Sequence, residues 1–151
     1  LPRLCERAGW SDVNSMTAFF SVLMEGDDIH DPVGDAMRSI LDGHIMLSRD
    51  LARRHHYPAV DVLGSVSRLR NDVTATDDLA AGTRLMSWLK ALEDNRDLIN
   101  IGAYVEGSDP VLDQALFKQE DIRGFLTQGC DEGGSADDTM QALRKLTGVE
   151  S

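Results

Sequence analysis

The sequence predicts an α/β region followed by an all-helical region, and three observations carry this prediction. An almost unbroken apolar run occupies residues 16–24, with a length and an aromatic and β-branched content typical of a strand buried on both faces. Helix starts at Asp31 and Ser48 alternate with strand-like segments, which is the order found in α/β proteins. Beyond Val73 the strand signal disappears and apolar residues recur at helical spacing.

The first predicted helix follows an acidic loop at residues 25–28. Asp31 is expected to cap this helix and Pro32 to take its first position, where a missing N–H is tolerated. Gly43 is expected to end it. Its buried stripe is expected to consist of three apolar side chains: Met37, Ile40 and Leu41.

A short strand and a short helix complete the predicted α/β region. Residues 44–47 are predicted to form the strand, and Ser48 to cap a helix that runs to Arg54 and is closed by Tyr57-Pro58. We therefore place the α/β domain at residues 1–73.

The helical domain is placed at residues 74–151 and is predicted to be a small bundle. Its first helix is expected over 77–99, with Trp88 beside the apolar face. Asp109 and Ser135 are expected to cap two later helices. The apolar positions at helical spacing are Leu85, Leu89, Leu92, Ile99, Leu112, Leu116, Phe117, Ile122, Phe125, Leu126, Met140, Leu143 and Leu146.

Charge and hydropathy exclude two classes of function. Acids outnumber bases by 26 to 15, for a net charge of −11, and a phosphate backbone would repel such a surface, so nucleic-acid binding is not expected. The excess is uneven: residues 1–73 carry 11 acids and 8 bases, and residues 74–151 carry 15 and 7. The longest uncharged stretch, 13–24, is shorter than the roughly 20 residues of a transmembrane helix, so no membrane span is expected.

The start of the chain and its two cysteines are informative about context. Leu1 opens the sequence without a Met or a signal-like segment, which suggests a piece of a longer polypeptide. Cys5 and Cys130 match no metal-site spacing and are expected to be reduced thiols in a cytosolic setting.

No phosphate loop is found in this sequence. Such a loop needs two glycines flanking four residues, followed by Lys and then Ser or Thr. The pairs 102/107 and 129/134 have the glycine spacing, but Ser108 and Ser135 stand where the Lys is required.

Two groups of potential metal ligands are expected to have ordinary roles. Asp27, Asp28, His30 and Asp31 match neither an EF-hand nor a zinc site, so they are interpreted as a solvated loop with an N-cap. The adjacent pair His55-His56 would point in different directions at a helix end. No metal site is therefore predicted.

The segment from Tyr57 to Arg68 pairs an aromatic after a turn with an arginine eleven residues later. From the residues alone, Tyr57 is expected to be a half-buried surface aromatic and Arg68 a solvated charge. The stretch between them is mostly small and apolar.

Collinear strings give this segment a different interpretation. Most of residues 2–68 is covered by Pro2-Arg3-Leu4, Glu6-Arg7-Ala8-Gly9, Thr17-Ala18-Phe19, Glu25-Gly26-Asp27-Asp28, Asp31-Pro32, Arg38-Ser39-Ile40-Leu41-Asp42-Gly43-His44-Ile45, Leu47-Ser48-Arg49 and His56-Tyr57-Pro58-Ala59 through Ser67-Arg68, with Leu98-Ile99-Asn100-Ile101-Gly102-Ala103-Tyr104 and Gly107-Ser108-Asp109-Pro110 further along. Together they resemble the carboxy-terminal third of the type III export ATPases, which are similar to the catalytic subunits of rotary ATP synthases. The last two strings are closer to the flagellar branch than to the injectisome branch.

The resemblance implies that residues 1–73 end a RecA-like nucleotide-binding domain and that the rest is its helical carboxy-terminal domain. Tyr57 aligns with the aromatic that packs on the adenine of ATP in the same subunit. Arg68 aligns with the arginine finger that reaches the γ-phosphate in the neighbouring subunit's site. The phosphate loop, the Mg²⁺-holding acid and the catalytic Glu would lie upstream, so this chain alone is expected to be inactive.

The implied function is a homohexameric ATPase at the cytoplasmic face of the inner membrane, which releases and unfolds chaperone-bound export substrates using ATP and Mg²⁺. Its implied partners are chaperones, secreted substrates, and stalk and regulator proteins. The alternative is a non-catalytic interaction module whose acidic helices dock chaperones, stalk or export gate. A third interpretation, an unrelated acidic adaptor, requires the collinear strings to be accidental. Two local departures from the family are Asn14, where Gly is usual, and Arg70-Asn71, where more apolar residues are common.

Overall fold

A computed structural model describes residues 2–23 and 31–149. The chain divides into two compact units, Leu1–His44 and Ile45–Ser151. The predicted order, α/β first and helical afterwards, is confirmed.

The first unit begins with a short helix and a hairpin. Helix α1 (Pro2–Cys5) precedes strands β1 (Gly9–Trp10) and β2 (Ser15–Met16), which pair antiparallel. Ser11 and Asn14 close the turn, because the Ser11 hydroxyl donates to the Asn14 carbonyl at 2.8 Å and accepts from the Asn14 N–H at 3.1 Å.

The predicted buried strand at 16–24 is wrong. Only Met16 is in a strand; residues 17–23 have no regular structure, and Phe19 and Leu23 are more than nine-tenths exposed. A strand needs a neighbour for its backbone N–H and C=O groups, and among the described residues β2 has β1 as its one partner, which pairs with it as far as Met16. Met24, the last residue of the predicted strand, and the acidic loop 25–28 lie outside the described residues.

The first predicted helix is confirmed as α2 (Pro32–Ile40). Asp31 caps it by accepting from the N–H groups of Val33 and Gly34 at 2.8 and 2.9 Å. Met37 is buried, whereas Ile40 and Leu41 are half-buried. Gly43 does not end this helix, because Leu41 is already extended; Gly43 begins the next strand.

Strand β3 (Gly43–Leu47) pairs with an eight-residue strand, β4 (Val60–Ser67). Strand β4 was not predicted, because its residues match neither strict alternation nor a continuous apolar run. Between them lies helix α3 (Arg49–Arg53), which ends one residue earlier than predicted and is capped by the Ser48 hydroxyl. The short helix α4 (Arg70–Val73) follows β4.

Five helices form the rest of the described chain: α5 (Thr76–Asp94), α6 (Arg96–Asn100), α7 (Pro110–Phe117), α8 (Gln119–Leu126) and α9 (Ala136–Thr147). The helix predicted over 77–99 is interrupted at Asn95, whose side-chain amide and backbone N–H both donate to the Ala91 carbonyl. An asparagine that bonds the preceding turn competes with helix continuation. The predicted caps at Asp109 and Ser135 are confirmed.

The core of the second unit lies between α5, α7, α8 and α9. It consists of Ala81, Leu85, Trp88, Ala115, Ile122 and Leu143. Two arginines fix α9 on α5, since Arg144 Nε donates to Asp78 Oδ1 at 2.6 Å and Arg84 Nη1 to the Thr147 carbonyl at 2.7 Å. The carboxylate of Asp78 raises the pKa of Arg144. None of the helices within the described ranges is long and apolar enough to cross a membrane.

Candidate functional site

Tyr57 lies in the loop between α3 and β4 with about half of its side chain available to a ligand (52% exposed). Its peptide bond to Pro58 is cis. About half of the tyrosine is therefore accessible, and base stacking needs an accessible aromatic ring.

Three backbone hydrogen bonds hold the Tyr57 loop at both ends and in the middle. The N–H of Ser48 donates to the Ala59 carbonyl at 2.9 Å, and the N–H of His56 donates to the Leu51 carbonyl at 3.0 Å. The Tyr57 carbonyl itself accepts from the N–H of Gln128, in the loop after α8, at 2.9 Å. The contribution of Gln128 was not predicted, because a backbone contact across 71 positions leaves no local signal.

Asp61 forms two hydrogen bonds with later residues of the same strand, β4. The Asp61 carboxylate accepts from the Gly64 N–H at 2.9 Å, and the Ser65 hydroxyl donates to the Asp61 carbonyl at 2.5 Å. A Cβ at position 64 would lie 2.7 Å from Asp61 Oδ2, so a larger residue there would require the Asp61 carboxylate to move. The Ser65 hydroxyl also accepts from the Met46 N–H at 3.0 Å, which ties this part of β4 to β3.

Arg68 is the first residue after β4 and is exposed. It is followed by Leu69, whose carbonyl accepts from the N–H groups of Asp72 and Val73 and so begins α4. Arg68 thus lies in the connection between strand β4 and helix α4.

The two predicted site residues are not brought together. Tyr57 precedes β4 and Arg68 follows it, so the whole eight-residue strand lies between them along the chain.

The glycine pair 102/107 lies in the loop between α6 and α7. Gly107 has positive φ, but its N–H donates to Asp113 Oδ2 at 3.0 Å. The Tyr104 hydroxyl donates to Asp113 Oδ1 at 2.7 Å. Partial burial of Tyr104 is the main cause of its raised pKa, and the hydrogen bond to Asp113 raises the pKa further. The loop between α6 and α7 is thus closed by its own side chains.

The candidate metal ligands give no site in the part of the chain that the structure describes. No group of three His, Cys, Asp or Glu residues there could hold a metal ion. Asp31 is engaged as a helix cap, and Asp27, Asp28 and His30 lie outside the described residues. Cys5 and Cys130 are free thiols.

Two family models divide the chain in the same order as the fold. Residues 1–67 match the nucleotide-binding domain of the ATP synthase alpha/beta family, and residues 74–145 match the C-terminal domain of the T3SS EscN ATPase. The class defined by this combination is an ATP-synthase-like ATPase with a secretion-type helical domain.

Individual relatives narrow the class. The chain is 47% identical over 99% of its length to the flagellum-specific ATP synthase of Treponema pallidum, and 46% identical over 97% to the type 3 secretion system ATPase of Pseudomonas savastanoi pv. phaseolicola. It spans about a third (33%) of the length of these relatives. The assembled ATPase EscN of the enteropathogenic E. coli type III secretion system superposes with a TM-score of 0.93 at 38% identity, covering 97% of this chain and 35% of that one. Over nearly its whole length the chain is therefore similar to part of the type III export ATPases.

Proposed function

We propose that the whole protein is a ring-forming ATPase that energises bacterial type III protein export by releasing and unfolding chaperone-bound substrates. The observation that carries this proposal is the arrangement of Tyr57 and Arg68 at opposite ends of β4. The relatives named flagellum-specific ATP synthase and type 3 secretion system ATPase support the same activity.

Tyr57 is proposed to pack against the adenine ring of ATP bound to its own subunit. Its half-exposed ring is supported by backbone hydrogen bonds that do not involve the hydroxyl. Stacking uses the π-face, which every base provides, and is worth about 1–3 kcal/mol.

Arg68 is proposed to act as an arginine finger toward the γ-phosphate bound by the neighbouring subunit. Arg68 and Tyr57 lie at opposite ends of β4, which is consistent with their serving different nucleotide sites. A guanidinium that meets charge developing on the phosphoryl oxygens accelerates transfer by about 10³–10⁵-fold. Activity then requires a ring, for which we propose a homohexamer.

The remaining catalytic parts are proposed to lie in the upstream portion of the whole protein. These are the phosphate loop, the acid that holds Mg²⁺ and the catalytic Glu. Mg²⁺ and the phosphates of ATP are proposed to be bound by these upstream parts, and the adenine ring by Tyr57 of this chain. The domain boundary is proposed at residues 73/74, between α4 and α5.

The proposed partners follow from the relatives. EscN has been solved as an assembled ATPase and in complex with its central stalk EscO, so self-association and a stalk protein are proposed here. Export chaperones and secreted substrates are the proposed cargo. The proposed location is the cytoplasmic face of the inner membrane.

A non-catalytic interaction module remains the second candidate and describes this chain by itself. Its basis is the helical region, which contains 15 acidic and 7 basic residues. This region also has exposed apolar side chains, such as Phe117 at 85% exposure. The helices α5–α9 would then dock chaperones, stalk or export gate.

The test is ATP turnover of the whole protein with Arg68→Ala. We expect kcat to fall about 10³-fold or more while nucleotide affinity stays nearly unchanged, because the finger acts mainly on the transition state. Arg68→Lys is expected to fail as well, since an ammonium cannot reproduce the planar fork. Arg123→Ala is the matched control: this exposed arginine pairs with Glu120 within one helix turn, a pair worth little. Turnover unaffected by Arg68→Ala would favour the interaction module.

A further inference from the structure

The side chain of Arg70, two residues after Arg68, forms hydrogen bonds with helix α5. Arg70, the first residue of α4, extends its Nη2 to the Leu79 carbonyl at 3.2 Å and to the Thr83 hydroxyl oxygen at 3.1 Å. Both acceptors lie on one face of α5, at positions separated by four residues, where side chains of a helix are neighbours. The guanidinium therefore rests along the surface of α5.

Gly82 makes room for this contact. A Cβ at position 82 would lie 3.0 Å from Arg70 Nη2, closer than ordinary van der Waals contact. The Thr83 hydroxyl is oriented by its own bond to the Leu79 carbonyl at 2.7 Å, so it presents a lone pair to Arg70. Three residues of α5 are thus arranged around one arginine.

Helix α5 is a firm anchor for this contact. Ala81, Leu85 and Trp88 on its other face are buried in the core, and Asp78 holds α9 through Arg144. Two residues of chain reach at most about 7 Å, so the backbone of Arg68 lies within that distance of an anchored residue.

We propose that Arg70 is a positioning residue for Arg68: its bonds to Leu79 and Thr83 fix the turn that carries the finger on the helical domain. The inference rests on the proposed function of Arg68 and adds to it the means by which α5 sets the finger's position. Catalytic groups must be held within a fraction of an ångström, and a displacement of about 1 Å can cost about 10²-fold in rate.

The first test is Arg70→Ala in the whole protein. We expect kcat to fall about tenfold with nucleotide affinity within about twofold of wild type, because only a catalytic group is displaced. A merely structural role would instead lower affinity, kcat and the unfolding temperature together. A kcat within twofold of wild type would overturn the inference.

Two substitutions in α5 change the surroundings of the Arg70 guanidinium, and each has a matched control. Thr83→Val removes the hydroxyl acceptor, and Thr139→Val removes a hydroxyl with the same helix-internal bond but no arginine partner. Gly82→Ala crowds Arg70 Nη2, whereas Gly124→Ala meets nothing within 4 Å. We expect a two- to fivefold loss of kcat at positions 82 and 83 and none at 124 and 139. Gly82→Ala should change stability and activity in opposite directions. Alanine favours the helix and should raise the stability, whereas the displaced Arg70 should lower the activity.

Mixed rings identify the subunit in which Arg70 acts. Acceptor subunits keep their upstream phosphate loop and carry Arg68→Ala; donor subunits have a broken phosphate loop and keep Arg68. Adding Arg70→Ala to the donors should lower the activity of the mixture about tenfold, and adding it to the acceptors should change nothing. A defect that follows the acceptors, or that is equal in both, would overturn the inference. If Arg68→Ala alone leaves kcat unchanged, the proposed function fails; a normal Arg70→Ala beside an inactive Arg68→Ala refutes only the positioning role.

Discussion

Removing the Tyr57 ring is expected to weaken ATP binding to the whole protein while leaving the chemical step less affected. The substitution Tyr57→Ala keeps the backbone carbonyl that accepts from Gln128, so the loop keeps its attachment to the helical region. What is lost is the half-exposed aromatic face.

The size of the effect follows from the exposed surface. A large aromatic side chain can bury 150–250 Å², and Tyr57 has about half of its surface open. About 100 Å² is therefore available to an adenine ring, which at about 25 cal/mol per Å² corresponds to about 2.5 kcal/mol. This figure lies within the 1–3 kcal/mol found for base–aromatic stacking and corresponds to a Kd up to about 70-fold weaker.

Titration of the whole protein with a non-hydrolysable ATP analogue measures this change directly. Tyr57→Phe should bind nearly as tightly as wild type, since stacking uses the ring and not the hydroxyl. Phe117→Ala, which removes a highly exposed aromatic from the helical domain, is the control and should bind normally. If Tyr57→Phe proved as damaging as Tyr57→Ala, a hydrogen bond from the hydroxyl would be the relevant contact and the stacking argument would be refuted.

Four further predictions concern this chain itself. Without a phosphate loop it should release no phosphate from ATP, and steady release above background from a clean preparation would contradict this. Leu112→Ala, at a fully buried position, should lower the free energy of unfolding by about 2–5 kcal/mol in a denaturant titration, whereas the partly exposed neighbour Val111→Ala should cost much less. Ser135→Ala should cost about 1 kcal/mol through the lost cap of α9. Hydrogen bonds from Ser135 hold the pKa of Asp138 below its usual 3.8. The stability that Asp138 contributes is therefore present above pH 3.8 and is lost as the pH falls through the lowered pKa. The variant Asp138→Asn should not show this loss of stability in an acid titration.

Helix starts could be predicted because their signals are local. Asp31, Asp109 and Ser135 each accept a hydrogen bond from the N–H two or three residues ahead, so a few consecutive residues contain the whole interaction. The helical spacing of apolar residues similarly identified Leu85 and Leu143 as core positions.

The errors in the fold prediction have a common physical origin. The run 16–24 has strand composition, but a strand is completed by a neighbour that sequence composition does not reveal. Asn95 interrupts the predicted 77–99 helix through a hydrogen bond from its side chain to the Ala91 carbonyl. The spacing of apolar residues contains no information about such a polar contact.

The candidate site depended on resemblance more than on pattern. From the residues alone, Tyr57 was a surface aromatic and Arg68 a solvated charge; their roles came from the family's motif and stay predictions. The contacts of Arg70 with Leu79 and Thr83 join positions 9 and 13 residues apart across a turn. The departure of Arg70-Asn71 from the family's pattern was the one sequence signal at this place.

The central claim, that Arg68 acts in the neighbouring subunit, is tested most directly by mixing two inactive forms of the whole protein. One form keeps its phosphate loop and carries Arg68→Ala; the other keeps Arg68 and has a broken phosphate loop. We predict that ATP turnover returns in mixed rings, because an intact loop then faces an intact finger. Mixed rings that demonstrably co-assemble yet stay inactive at every ratio would contradict the account and leave Arg68 as a structural charge at the domain boundary.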